Sequence, residues 1–274
     1  MTSPRRTKTS RLIVLALSLS AMTISSTFTQ EVMGNRVRYE VGRAIVFFEA
    51  GALSTEEMAE FAMLADGGIN DIDALLNQNS AGPREGSRIT FIVRDDGGIS
   101  RSFRRTVIIP ADRVRRKAAP YLHETVHVLL PMKDDSLWMS EGFASYVQSY
   151  VAERIGGYDG YVFSWGGNRN IDRLARRTLN SDLGRAALPY VGGEGQPDNL
   201  FQNRREVAEP LYVLAHSFVK FLVDQTSLEK VKSLVQAPNI AGFSEAITGK
   251  TIDAWKAVWL TSLSATRPAD ALNR

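Results

Sequence analysis

The stretch YLHETVHVLL, residues 121–130, constrains this chain more than any other. Read as a helix, it sets His123 and His127 one turn apart on the same face, with Glu124 beside the first. Leu122, Val126, Leu129 and Leu130 form an apolar stripe, and the two histidines lie on its flank. Such a helix keeps its back in a core and its side along a cleft. Pro120 suits a first turn, and Pro131 ends the helix. Two neutral imidazoles at this spacing can face one ion, and a carboxylate next to the first can take a proton from metal-bound water. The plainer reading is a helix that carries two histidines by chance, because HExxH is a short pattern.

The rest of the chain decides which ligands are available. There is no cysteine, so a metal site must use His and carboxylate groups; structural zinc knuckles and cysteine nucleophiles are excluded. A catalytic zinc takes three protein ligands and keeps one position open for water. The spacing HExxHxxGxxH would need Gly at 130 and His at 133, where this chain has Leu130 and Lys133. The segment LWMSEGFASY at 137–146 follows instead, and a carboxylate on such a next helix, Glu141, can complete a His₂Glu set.

HETVH followed by Trp138, Glu141, Gly142, Ala144 and Tyr146 resembles the gluzincin metallopeptidases, most closely the compact thermolysin-like "peptidase MA" domains and more distantly the aminopeptidase N-like enzymes. The resemblance implies Zn²⁺ held by His123, His127 and Glu141, with Glu124 as general base. The helix YVLAHSFVKFL, Tyr212–Leu222, resembles the family helix whose leading tyrosine stabilises the oxyanion. That puts Tyr212 in this role, with His216 one turn later on the same face, and either could donate to a tetrahedral intermediate. The plainer readings are a rim or core aromatic for Tyr212 and a structural histidine for His216. Three departures stand out. Only residues 128–140 separate His127 from Glu141, RRKAAPYL precedes the motif where a glycine-rich exopeptidase segment would stand, and Ser145 occupies a position often acidic in the family.

Around the motif the sequence predicts an α+β, zincin-like fold: a small mixed sheet plus the active-site helix in an N-terminal lobe over 31–131, then a helical lobe over 132–265. A strand is expected within Val37–Phe48, and strands at Arg88–Arg94 and Ser102–Pro110 flank a DDGG turn. A helix is expected from Leu53, with a Ser54–Glu57 capping box and Gly67-Gly68 as a break. Helices are further expected at Ser140–Ile155, Asp172–Leu179, Leu211–Gln225, Ser227–Val235 and Ile252–Leu263. Trp138 and Phe143 read as packing residues, and Gly142 as a point of close helix approach. The Gly- and Tyr-rich stretch 156–166 has the composition of a loop that could wall a cleft.

The first thirty residues read as a leader: basic Arg5, Arg6, Lys8 and Arg11, then an apolar run from Leu12 to Ile24. This is the pattern of a secretory signal peptide, with an uncleaved N-terminal anchor as the alternative. Without those four basic residues, 29 of the 33 remain against 30 acidic ones, so the positive formal charge is a poor argument for nucleic-acid binding. The run Arg101–Lys117 holds seven Lys or Arg against Asp112 alone, a solvated face or one that meets an anion. The expectation is an exported zinc-dependent peptidase acting on a peptide or protein substrate. The alternative is a catalytically inactive, zinc-containing binding or scaffold protein.

Overall fold

A computed structural model describes residues 28–77, 88–134, 136–154, 167–193 and 205–265. Most of the leader and the stretch 156–166 lie outside them. No helix among the described residues is long and apolar enough to cross a membrane.

The front half is a six-stranded mixed sheet in the order β1-β2-β3-β4-β6-β5. β1 (Phe28–Met33), β2 (Arg36–Val41) and β3 (Ala44–Glu49) form an antiparallel meander. The single strand expected within Val37–Phe48 is thus a hairpin, and the chain reverses at Gly42 with φ +49°. A side chain there would also strike the Asp66 carboxylate, which accepts from the Arg43 amide at 2.6 Å. β3 pairs in parallel with β4 (Ile89–Arg94), so the chain must cross over between them, and α1 (Thr55–Leu76) is that crossover. Ser54 and Glu57 make the capping box reciprocally.

Gly67-Gly68 does not break α1. Gly68 is buried, and a Cβ on it would come within 2.6 Å of Leu122 Cδ2 and 3.0 Å of Tyr121 Cε2. The glycine costs about 1 kcal/mol of helix propensity; in return the motif helix can lie close against α1. Phe61 of α1 also meets Tyr121 edge-to-face, with ring centroids 5.5 Å apart.

The strand expected over Ser102–Pro110 is two. β5 (Arg101–Phe103) and β6 (Thr106–Pro110) form an antiparallel hairpin turning at Arg104 and Arg105. Arg104 takes a left-handed φ of +53° without the usual Gly or Asn to signal it. β6 pairs with β4 in parallel, which leaves β5 at the edge of the sheet. α2 (Ala111–Arg115) follows β6 directly, and α3 (Tyr121–Leu129) is the motif helix, with Pro120 at its N-cap and Leu130 at its C-cap. The sheet is accordingly larger than the sequence suggests.

The back half is helical: α4 (Leu137–Arg154), α5 (Gly167–Leu179), α6 (Asp182–Ala187), α7 (Arg205–Gln225), α8 (Leu228–Val235), α9 (Ile240–Thr248) and α10 (Ile252–Ala265). α7 starts six residues before the expected Leu211 because it accommodates Pro210, which forfeits one backbone hydrogen bond. α4 is buried on most of its circumference, between α3, α5 and α7. Trp138 is buried and stacks on Phe218 of α7 with centroids 5.3 Å apart, and Phe143 is buried as well.

Candidate metal centre and active-site cleft

α3 is held from behind by α1 and from the side by α4, with β5 and β6 alongside. Leu122 and Val126 are buried in the core, which turns the flank with His123 and His127 toward a cleft of about 1270 Å³. His123, Glu124 and His127 all line that cleft.

α4 brings the third group. A Cβ on Gly142 would sit 2.7 Å from the Ala215 carbonyl oxygen, so only glycine lets α4 lie this close to α7. Glu141, the preceding residue, then faces the two imidazoles. His123 Nε2 stands 2.9 Å from Glu141 Oε2, His127 Nε2 stands 3.6 Å from Glu141 Oε1, and the two Nε2 atoms are 3.1 Å apart. Tetrahedral ligands at about 2.0–2.1 Å from a zinc ion are separated by about 3.3 Å. The three spacings scatter around that value. The donor set is two imidazole nitrogens and a carboxylate oxygen, a common one for catalytic zinc. The residues fit the ion.

Among the described residues, hydroxyls stand behind the imidazoles. Ser145 Oγ lies 3.5 Å from His123 Nδ1, and Ser140 Oγ lies 3.3 Å from His127 Nδ1. The His123 amide also donates to Gln148 Oε1 at 3.2 Å, tying α3 to α4 at the ligand itself. Electrostatics agree with this arrangement. Burial works to raise the Glu141 pKa, but hydrogen bonds from His123 and His127 and the charges of both outweigh it and hold the carboxyl well below the usual range. Burial likewise works to lower His127, yet its hydrogen bond to Glu141 and the charges of Glu141 and Glu124 raise it. The cluster thus keeps its carboxylate ionised.

Of the two candidates on α7, the structure brings only one to the cleft. Tyr212 lines it, half-buried, and its hydroxyl is pushed far above the ordinary value by burial and by the charges of Glu141 and Glu124. It is therefore a protonated donor at working pH. His216 does not reach the cleft. It is fully buried, and its Nε2 meets Asn168 Oδ1 at 2.6 Å. The Asn168 amide nitrogen donates to the Tyr146 carbonyl at 3.2 Å, so its oxygen accepts and His216 Nε2 carries the proton. Burial, with the charges of His123 and Lys220, pushes His216 down to about 3. His216 is a neutral pin between α5 and α7, and the oxyanion role expected of it gives way to a structural one.

The sequence reading missed the parts that the fold assembles from a distance. Ser140 and Ser145 become partners of the histidines only when α3 and α4 are packed. The cleft wall facing α4 and α7 comes from β5, the following turn and α2, and includes Arg101, Phe103, Arg104, Arg105 and Arg113. The one signal for it was the basic run.

The sequence matches no protein-family model and none of the curated proteins. Among solved structures, an M1 zinc metallopeptidase from Deinococcus radiodurans is similar at 16% identity and a TM-score of 0.44, over 88% of this chain and 52% of the other. A mutant of it bound to a Tyr-Ser-Ala substrate is similar at 15% identity and a TM-score of 0.45, over 85% and 50%. The chain spans about half the length of these structures, and the likeness is coarse.

Proposed function

We propose that this chain is a zinc-dependent peptidase that hydrolyses peptide bonds by general-base catalysis. The observation that carries the reading is the convergence of His123, His127 and Glu141 at spacings close to a tetrahedral zinc site, with Glu124 and Tyr212 on the same cleft. Zinc, when bound there, would act as a Lewis acid and lower the pKa of water. Glu124 takes the proton from the attacking water and returns it to the departing amine. Tyr212, held protonated, donates a hydrogen bond to the oxygen on which negative charge develops. β5 is the edge strand of the described sheet and lies on the cleft wall; with no further strand paired to it among the described residues, an extended peptide could add its backbone there, which favours a peptide over a compact small molecule. The leader pattern supports export, with the enzyme acting outside the cytoplasm, either released or tethered by residues 1–30.

One observation favours a second reading, a zinc-containing binding protein without turnover. Carboxylates or carbonyls usually orient zinc-bound histidines, whereas the Nδ1 contacts seen among the described residues are with two hydroxyls at 3.3 and 3.5 Å. Metal content tests the feature both readings share. Full-length protein is expected to hold about one zinc per chain, and Glu141→Ala to lose it. A parent that binds no zinc after reconstitution would end both.

A further inference from the structure

The cleft has unequal walls. On the side of α7, Ala208, Glu209 and Tyr212 line it, with no cation among the described residues. On the side of β5 and α2 it is lined by Arg101, Arg104, Arg105 and Arg113. These are four of the seven cations in the run 101–117. The other three are engaged elsewhere: Arg115 donates to the Ala52 carbonyl, Arg116 pairs with Asp112, and Lys117 pairs with Glu60 at 2.8 Å.

The four on the wall are not equivalent. Arg105 spends its guanidinium on the Arg88 carbonyl at 2.7 and 2.9 Å, and Arg104 lies over the Phe103 ring, 5.3 Å from its centroid. Arg101 and Arg113 show no side-chain hydrogen bond or ion pair among the described residues, although both line the cleft. The acids that line the cleft with them are Glu124 and Glu141 on its floor and Glu209 on the α7 side, and none forms an ion pair with Arg101 or Arg113 among the described residues. A guanidinium is permanently charged and offers a planar fork that matches a carboxylate. Arg101 is exposed and Arg113 half-buried, so both forks are accessible from the cleft, and like charges gathered along a concave wall focus their field on it. Arg101 belongs to β5, the edge strand of the described sheet, and Arg113 to α2 on the same wall, so both face the space a bound peptide would occupy.

We propose that Arg101 and Arg113 read a carboxylate of the substrate, so that this site selects acidic peptides. The proposal rests on the peptidase reading for its location but not for its test. A carboxylate can come from an Asp or Glu side chain or from the end of a peptide. The charge of the chain without its leader, 29 basic against 30 acidic residues, argues against a polynucleotide as the anion.

The experiment measures equilibrium binding of fluorescent heptapeptides to the zinc-loaded full chain carrying Glu124→Gln, which prevents turnover during the titration. Peptides with Asp or Glu are compared with the same sequences carrying Asn or Gln, each with free and amidated ends, and with a single-stranded oligonucleotide. Acidic peptides are expected to bind about tenfold tighter at low salt, an advantage that shrinks as salt rises. The ratio is expected to fall toward one in Arg101→Ser/Arg113→Ser. Charge reversal, Arg113→Glu, is expected to turn the preference toward Lys-containing peptides. A preference kept on amidation assigns a side-chain carboxylate; one lost on amidation assigns the peptide terminus. Equal binding of acidic and neutral peptides, a preference that survives the double variant, or tighter binding of the oligonucleotide at these arginines would overturn the proposal. If the preference holds but the wild-type protein cleaves none of the peptides, acid recognition stands and the peptidase reading falls.

Discussion

His216, for which a structural role is the plainer sequence reading, is buried and does not line the cleft. It is one turn from Tyr212, on a helix that reaches the cleft, yet the helix rotates it into the interior against Asn168. Its burial has a measurable consequence. The folded-state pKa, about 3, is depressed from an ordinary value of 6.5, so between those limits the unfolded chain binds the proton and the folded chain does not. The stability it supports is complete above pH 6.5 and falls by about 1.4 kcal/mol for each pH unit below it, down to about pH 3. Chemical denaturation across pH 7 to 4 is expected to show this loss in the wild type and not in His216→Gln. Every other ionisable group is common to both proteins, so the difference between the two curves isolates the residue. Parallel curves would mean that His216 is solvated or already paired when charged. Ser140 and Ser145 teach the reverse lesson. Ser140 carries no mark in the sequence, and Ser145 stands out only as a hydroxyl where the family resemblance leads one to expect an acid; that both face the histidines is set by packing between two helices.

At the scale of elements, local signals were legible and tertiary ones were not. The capping box of α1, the proline limits of α3 and the alternation of β4 depend on neighbours within a few residues, and each is where the sequence puts it. Gly67-Gly68 was misread because its reason is α3, fifty residues away in the chain. The β5–β6 hairpin was misread because an arginine, not a glycine, makes its left-handed turn. Gly142 was read correctly because it adjoins a ligand, where close approach has a purpose. It also offers a test of how Glu141 is placed. An alanine there gains about 1 kcal/mol of helix propensity, but its Cβ meets the Ala215 carbonyl oxygen and carbon at 2.7 and 2.8 Å, atoms of backbone that cannot swing aside. Overpacking of this kind costs about 1–3 kcal/mol. Gly142→Ala is expected to lower the thermal midpoint and, by moving α4 away from α3, to weaken zinc binding. A variant more stable than the wild type with unchanged zinc affinity would show that α4 has room, and that the spacing of Glu141 does not depend on this contact.

At the scale of the molecule, the design is a sheet-and-helix front half that supports α3 and one cleft wall, and a helical back half that supplies Glu141 and Tyr212. Its α+β class was readable from the order of patterns, strands first and helices later. The His123, His127 and Glu141 cluster was readable as a candidate metal site because the two histidines lie one helical turn apart and the glutamate lies on the very next helix. The cleft's asymmetry was not, because its basic wall and its catalytic floor come from elements whose meeting no periodicity records. The proposed function has a direct test: Glu124 lines the cleft but is not part of the His123, His127 and Glu141 cluster that could hold a metal. Turnover of a quenched peptide library, measured together with bound zinc in wild type and Glu124→Gln, asks whether the base and the metal are separate functions. The expected result is about one zinc per chain in both proteins, with turnover in the variant lower by about 10²–10⁴-fold. A Glu124→Gln protein that retains its zinc and cleaves as fast as the wild type would contradict the mechanism.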